Sequence, residues 1–164
     1  MTTKVRPAAP ADSALIHGFI RDLAEYEQLL HEVDATEADV AEALFGPHPR
    51  IFCDIAETAG APVGFALWFY SFSTFRGRHG IYLEDLYVRP EARGAGAGKA
   101  LLRALARRCV EEGLARLEWA VLDWNQPAIV FYDGLGAASK AEWIRRQLTG
   151  PALEKLAEVE PATA

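Results

Sequence analysis

The chain of 164 residues is 51% hydrophobic, with 8 Phe and 4 Trp, which is enough for one domain across residues 1–164 to bury a core. A formal charge of -6 disfavours a nucleic-acid partner, whose binding surfaces are usually basic, and no apolar run reaches the roughly 18 residues of a membrane span. The opening stretch MTTKVRPAAPAD has no apolar targeting core, and Cys53 and Cys109 stand far apart outside any CxxC pattern, so buried thiols and a cytoplasmic location are expected.

Thr3 to Arg6 read as a short strand ended by Pro7. Leu15, Ile16, Phe19, Leu23 and Tyr26 then recur at helical spacing behind a cap at or near Asp12. A second helix runs from about Thr36 to Phe45, with Glu37 and Asp39 where the helix dipole favours acids, and the GPHP turn stops it. Three strands follow, IFCDIAE, VGFALWFYSFS and IYLEDLYV, the first two joined by an AGAP hairpin turn. Helical periodicity returns at Leu101, Leu102, Leu105, Cys109 and Val110, and Gly113 can close that helix. LEWAVLD reads as a strand, Pro127 to Asp133 as a short helix with proline in its first turn, and WIRRQL as a last strand. The fold class is therefore α/β (α+β), a mixed, mostly antiparallel sheet with helices on both faces.

The stretch RPEARGAGAGKALL concentrates Gly94, Gly96 and Gly98 between a strand end and a helix start. Glycine loses the most conformational entropy on folding, so this density needs a reason. A Walker loop fails here, because Arg93 stands where its first glycine belongs and Ala100 where its Ser or Thr belongs. A dinucleotide fingerprint fails at Lys99, its third glycine position. Amides at a helix start, unobstructed by β-carbons and flanked by Arg93 and Lys99, still suit an anion such as a pyrophosphate.

Arg93-x-x-Gly96-x-Gly98, after a strand ending in YVRPEARG, resembles the acetyl-CoA loop of the GNAT N-acetyltransferases. AEYE at 24–27, YLEDLYV at 82–88, DWNQPAIVFY at 123–132 and GA at 136–137 extend the similarity to the spermidine/spermine and thialysine acetyltransferase branch. The resemblance implies that Leu86, Tyr87 and Val88 pair through their main chain with the pantetheine arm, where one amide can polarise the thioester carbonyl. It implies that the amides of Arg93, Gly94, Ala95, Gly96, Ala97, Gly98 and Lys99 hold the pyrophosphate. Asn125, with Gln126, Pro127 and Ala128, would contact the cofactor arm.

Tyr132 matches the family's general acid for the departing CoA thiolate, and a phenol of pKa about 10 is near enough to a thiol to share a proton. As an isolated Phe-Tyr pair it would read as packing; its place seven residues after Asn125 favours the functional role. Glu84 and Asp85 interrupt an apolar strand, and strict alternation points them to opposite faces. By resemblance Glu84 faces acyl transfer and accepts the ammonium proton, while Asp85 is read as structural or supporting. Tyr26 and Glu27, and beyond them Glu118, Trp119 and Ala120, match positions that line the amine pocket.

Arg76 and Arg78 in STFRGRH replace an acid and an aromatic of the polyamine-specific enzymes. They argue for a small primary amine of lysine type over spermine; whether Glu142 takes part stays open. The 4 histidines form no paired-ligand spacing, and no metal or covalent acyl-enzyme is required. The expected activity is acetyl transfer from acetyl-CoA to a small-molecule amine by direct attack in a ternary complex, in a homodimer. A catalytically silent acyl-CoA sensor and a protein-lysine or N-terminal acetyltransferase are the rival readings.

Overall fold

A computed structural model describes residues 2–158. The chain divides into two compact units, Met1–Ala120 and Val121–Ala164. The first carries a sheet of five strands in the order β1-β2-β3-β4-β5, namely Thr3–Pro7, Phe52–Thr58, Ala61–Ser73, Arg78–Val88 and Leu117–Trp119. The first four pair antiparallel, and β5 joins β4 in parallel. That parallel pairing needs a crossover, which the helix Ala97–Glu111 provides.

Helices α1 (Ser13–Tyr26) and α2 (Glu37–Phe45) cover one face. Ile16 and Phe19 of α1 and Val40 and Leu44 of α2 pack with Cys53, Ile55, Phe65, Leu67 and Tyr87 of the sheet. Thr36 caps α2 reciprocally: its hydroxyl accepts from the Asp39 amide at 3.2 Å, and its own amide donates to the Asp39 carboxylate at 2.8 Å. The helix α3 (Ala97–Glu111) lies on the other face, burying Leu101, Leu102 and Leu105, with the Arg108 guanidinium 4.9 Å above the Trp68 ring. Leu67 and Trp68 are adjacent in β3, so the two helix layers fall on opposite sides, as strand alternation requires.

Arg6 ties β1 to its surroundings, donating to both carboxylate oxygens of Asp12 at 2.7 and 2.9 Å and to Glu57 at 2.7 Å. The bidentate partner holds the Asp12 carboxyl below the usual carboxylate range.

The second unit contains two short helices, α4 (Gln126–Asp133) and α5 (Gly150–Ala157). Two strand expectations change here. LEWAVLD pairs only over Leu117–Trp119, and WIRRQL forms no strand. Trp143 and Ile144 are mostly exposed, and no strand in residues 121–158 offers WIRRQL a ladder, so apolar content alone does not make it one. The helix α5 has no counterpart in the sequence expectation; it carries Pro151 in its first turn and buries no residue.

Phe19 is the keystone of the α1 face, with its ring stacked at 5.5 Å on Phe65 and tilted at 6.0 Å to Tyr87. Phe19→Ala should lower unfolding free energy by about 3–5 kcal/mol, the usual loss for a buried phenylalanine. Urea denaturation followed by tryptophan fluorescence measures it, and a loss under about 1 kcal/mol would contradict this packing.

Candidate active site

A register slip in β4 builds the site. Leu67 of β3 lies opposite Asp85, yet Trp68 lies opposite Leu83, so Glu84 is an extra residue with no opposite number on β3. It is a β-bulge, and bulges re-aim side chains. Leu83 shares the α3 side with Trp68, whereas Asp85 shares the α1 side with Leu67 and Tyr87. Strict alternation would put Leu83 and Asp85 on one face, and the bulge sets them on opposite faces. The bulge leaves Glu84 exposed and sets Asp85 among the helices of the α1 layer.

Pairing with β5 ends at the same place. Its last contact is Leu83 with Trp119, and among the described residues no strand pairs with Asp85 to Val88 on the edge away from β3. The Arg89 amide bonds back to Val63 of β3 at 2.8 Å, so the main-chain groups of Tyr87 also face β3, contrary to the expectation for that residue, while those of Leu86 and Val88 face the open edge, the Val88 carbonyl taken by Arg93. Ala120 lies just past the end of β5 and is exposed.

Acidic groups converge beside the bulge. Burial pushes Asp85 up to about 7, with the charges of Glu84 and then Glu27 adding to it. The residue as a whole is half-buried, and it is the carboxyl that the protein crowds. Glu27, the residue that caps α1, is also raised by burial. Asp85, which the sequence placed in a supporting role, is electrostatically the centre of this trio. Glu118, expected on the amine side, is half-buried and hydrogen-bonded to the Arg116 guanidinium; Trp119 is half-buried beside it.

Beyond β4 the chain makes a 3-10 turn, Pro90–Ala92, and enters the glycine loop. Gly94 and Gly96 have φ of 77° and 92°, and Gly96 is the residue before α3. Such angles favour glycine whatever binds there. At both positions a β-carbon would meet nothing within 4 Å, so the loop also presents open backbone. The first intrahelical bond of α3 runs from the Ala100 amide to the Gly96 carbonyl at 2.9 Å, so the amides of Ala97, Gly98 and Lys99 have no carbonyl one turn back. Lys99 is exposed in this first turn, and Ala97 is buried beneath it. Open amides, the positive helix end and two cations fit a diphosphate. Arg93 donates through Nε to the Val88 carbonyl at 2.9 Å, which fastens the loop to the end of β4.

In the second unit, Asn125 caps α4 by accepting from the Ala128 amide at 3.4 Å, a long bond, and is almost fully buried. Gln126 and Pro127 occupy the exposed first turn, and the half-buried Tyr132 packs its ring 5.3 Å from Phe131. Glu142 is exposed and lies 3.8 Å from Lys140.

The model of the acetyltransferase (GNAT) family matches residues 16–137, a span that runs from α1 through the bulge and the glycine loop to α4. The chain belongs to that family. This GNAT chain is an acyltransferase, and relatives with named substrates match it nearly end to end. Thialysine N-epsilon-acetyltransferase of Mus musculus is 36% identical over 167 residues, covering 95% of this chain and 98% of its own. L-ornithine N5-acetyltransferase NATA1 of Arabidopsis thaliana is 30% identical over 201 residues, covering 95% of this chain and 88% of its own. Among solved structures, the integron cassette protein VCH_CASS6 from the mobile metagenome of V. cholerae superposes with a TM-score of 0.80 at 26% identity, over 97% of this GNAT chain and 99% of that one.

The raised Asp85 makes stability depend on pH in a definite direction. An unfolded aspartate titrates near about 4, so the folded chain keeps a proton that the unfolded chain has lost. The stability conferred by protonated Asp85 is complete below about pH 4 and is lost as pH rises through 7. Asp85→Asn, neutral throughout, should gain in Tm relative to wild type from pH 4 to pH 8. Thermal melts across that range test this, and a constant difference would rule out a protonated Asp85.

Proposed function

We propose that residues 1–164 form one N-acetyltransferase domain that moves the acetyl group of acetyl-CoA to the primary amine of a small basic amino acid, by direct attack in a ternary complex. The observation that carries this is the bulge at Glu84, which sets Glu84 and Asp85 beside an open strand edge that leads into the glycine loop. Bound acetyl-CoA supplies the activated acyl group. Leu86 and Val88 hold its arm through main-chain groups on the open edge, and the amides from Arg93 to Lys99 hold its diphosphate. Asn125, at the start of α4, contacts the arm together with Gln126, Pro127 and Ala128.

An alkylamine with pKa about 10.4 is almost wholly protonated at pH 7 and cannot attack until it loses a proton. Glu27 and Glu84 attract the ammonium, with Tyr26, Glu118, Trp119 and Ala120 lining its path and Asp85 in support. The exposed Glu84 accepts the proton through a water, and Tyr132 protonates the departing thiolate. The protein works in the cytoplasm as a homodimer; its two buried free thiols suit a reducing compartment.

The choice of amine rests on the relatives named for thialysine and ornithine rather than on Arg76 and Arg78. Arg78 begins β4 six residues before Glu84, which at the rise of a strand is about 20 Å away. Exposed charges so far apart are screened at physiological salt, where the Debye length is about 8 Å. In an assay of CoA thiol release, lysine, thialysine or ornithine should give a higher kcat/KM than spermine. Spermine in first place would overturn the amine assignment, and acetyl-CoA binding without turnover of any amine would favour the sensor reading.

The two proton transfers separate by pH. Tyr132→Phe should bind acetyl-CoA within a few-fold and lose about 10²- to 10⁴-fold in kcat, the typical worth of a positioned acid. Glu84→Gln should lose most near neutral pH and recover as pH rises, since alkaline solution supplies the amine already deprotonated. Near wild-type turnover by Tyr132→Phe at every pH would remove it from the reaction.

A further inference from the structure

The Arg93 guanidinium lies between two aromatic rings, 4.8 Å from the centroid of Tyr26 and 5.7 Å from that of Tyr87. Tyr87 belongs to β4, whereas Tyr26 is the last residue of α1, on the far side of the sequence from the glycine loop. Nε is committed to the Val88 carbonyl at 2.9 Å. Among the described residues the two Nη groups donate no hydrogen bond, so three contacts fix the plane of the guanidinium while its outer edge keeps its donors. A side chain of this length is otherwise costly to order, losing up to about 2 kcal/mol of rotamer freedom.

The end of α1 is itself held in an unusual conformation. Gln28 has a φ of 62°, in the left-handed region where a helix normally ends on glycine. Three bonds close the turn around it, from the Glu27 amide to Leu23, the Gln28 amide to Glu25 and the Leu29 amide to Ala24, at 2.9, 3.0 and 2.8 Å. Strain of this kind persists where the surroundings over-determine it. The ring of Tyr26, capped by Arg93, lies two residues before the strained position.

We propose that Tyr26 is a positioning residue for the cofactor site, acting through Arg93: its ring orders the guanidinium so that the Nη edge faces the diphosphate bound on the glycine loop. Tyr26 thus serves the glycine loop from the helix that also bears Glu27, and one cation–π contact joins the amine side to the cofactor side. This rests on the reading that the glycine loop holds acetyl-CoA.

Calorimetry with acetyl-CoA and no amine present tests it in the full chain, because a residue that lines only the amine path has no effect there. A cation–π contact is worth a factor of about 2- to 30-fold in affinity. Tyr26→Leu should weaken acetyl-CoA by that factor, and Tyr26→Phe, which keeps the ring, should bind like wild type. Arg93→Gln should weaken binding at least as much, and adding Tyr26→Leu to it should cost nothing more. Unchanged affinity in Tyr26→Leu, or losses that simply add in the double variant, would overturn the proposal. Arg93→Lys keeps the charge but neither the planar fork nor the Nε bond, so it should also bind more weakly; a wild-type affinity there overturns the proposal even if Tyr26→Leu fails to fold. A wild-type chain that does not bind acetyl-CoA would instead refute the proposed function itself.

Discussion

Glu84 has no residue opposite it on β3, and this slip of one position turns the second half of β4 over, so that Leu83 faces α3 while Asp85 faces α1. Without it, an acidic pair in a strand of IYLEDLYV type would put one carboxylate on the side of Leu83 and one on the side of Tyr82, diluting the charge across two layers. With it, Asp85 comes under the joint influence of Glu84 and Glu27. The strand also stops pairing with β5 at Leu83, immediately before the slip. The re-aimed Asp85 and the open edge therefore lie next to each other in the strand. A sheet pays for such a defect with lost ladder bonds, which is why bulges that survive tend to sit where they aim a side chain.

The glycine loop meets two separate demands with one residue type. At Gly94 and Gly96 the backbone turns through left-handed angles that other residues enter only with strain, whether or not anything is bound. The empty space where β-carbons would sit is a second property, and it leaves the amides at the start of α3 approachable. Arg93 completes the cradle from behind: its bond to the Val88 carbonyl makes the loop continuous with the strand that carries the acids.

Much of this was legible in the residues. Helical spacing located α1 and α3, first-turn acids and the GPHP stop located α2, and AGAP marked the hairpin between β2 and β3. The glycine spacing marks open backbone at a helix start, and Gly94 and Gly96 form it. What the sequence did not disclose was register. Period-two alternation is a rule about regular strands, and nothing in LEDLY announces that Glu84 is skipped by its neighbour; two adjacent acids in an apolar strand were the one available sign. Nor could local pattern show that Tyr26 and Arg93, so far apart in the chain, would meet. WIRRQL misled for the opposite reason. Its β-branched and aromatic residues suit a strand, but a strand exists only where a neighbour supplies hydrogen bonds.

The unpartnered edge of β4 also bears on how this chain can change over evolutionary time. A ligand that docks along Asp85 to Val88 bonds to peptide groups, which every residue type except proline provides alike. Recognition written in the main chain constrains the path of the strand and leaves its side chains to answer to packing alone. Leu86 and Val88 could then drift among residues of similar shape without loss of the docking line.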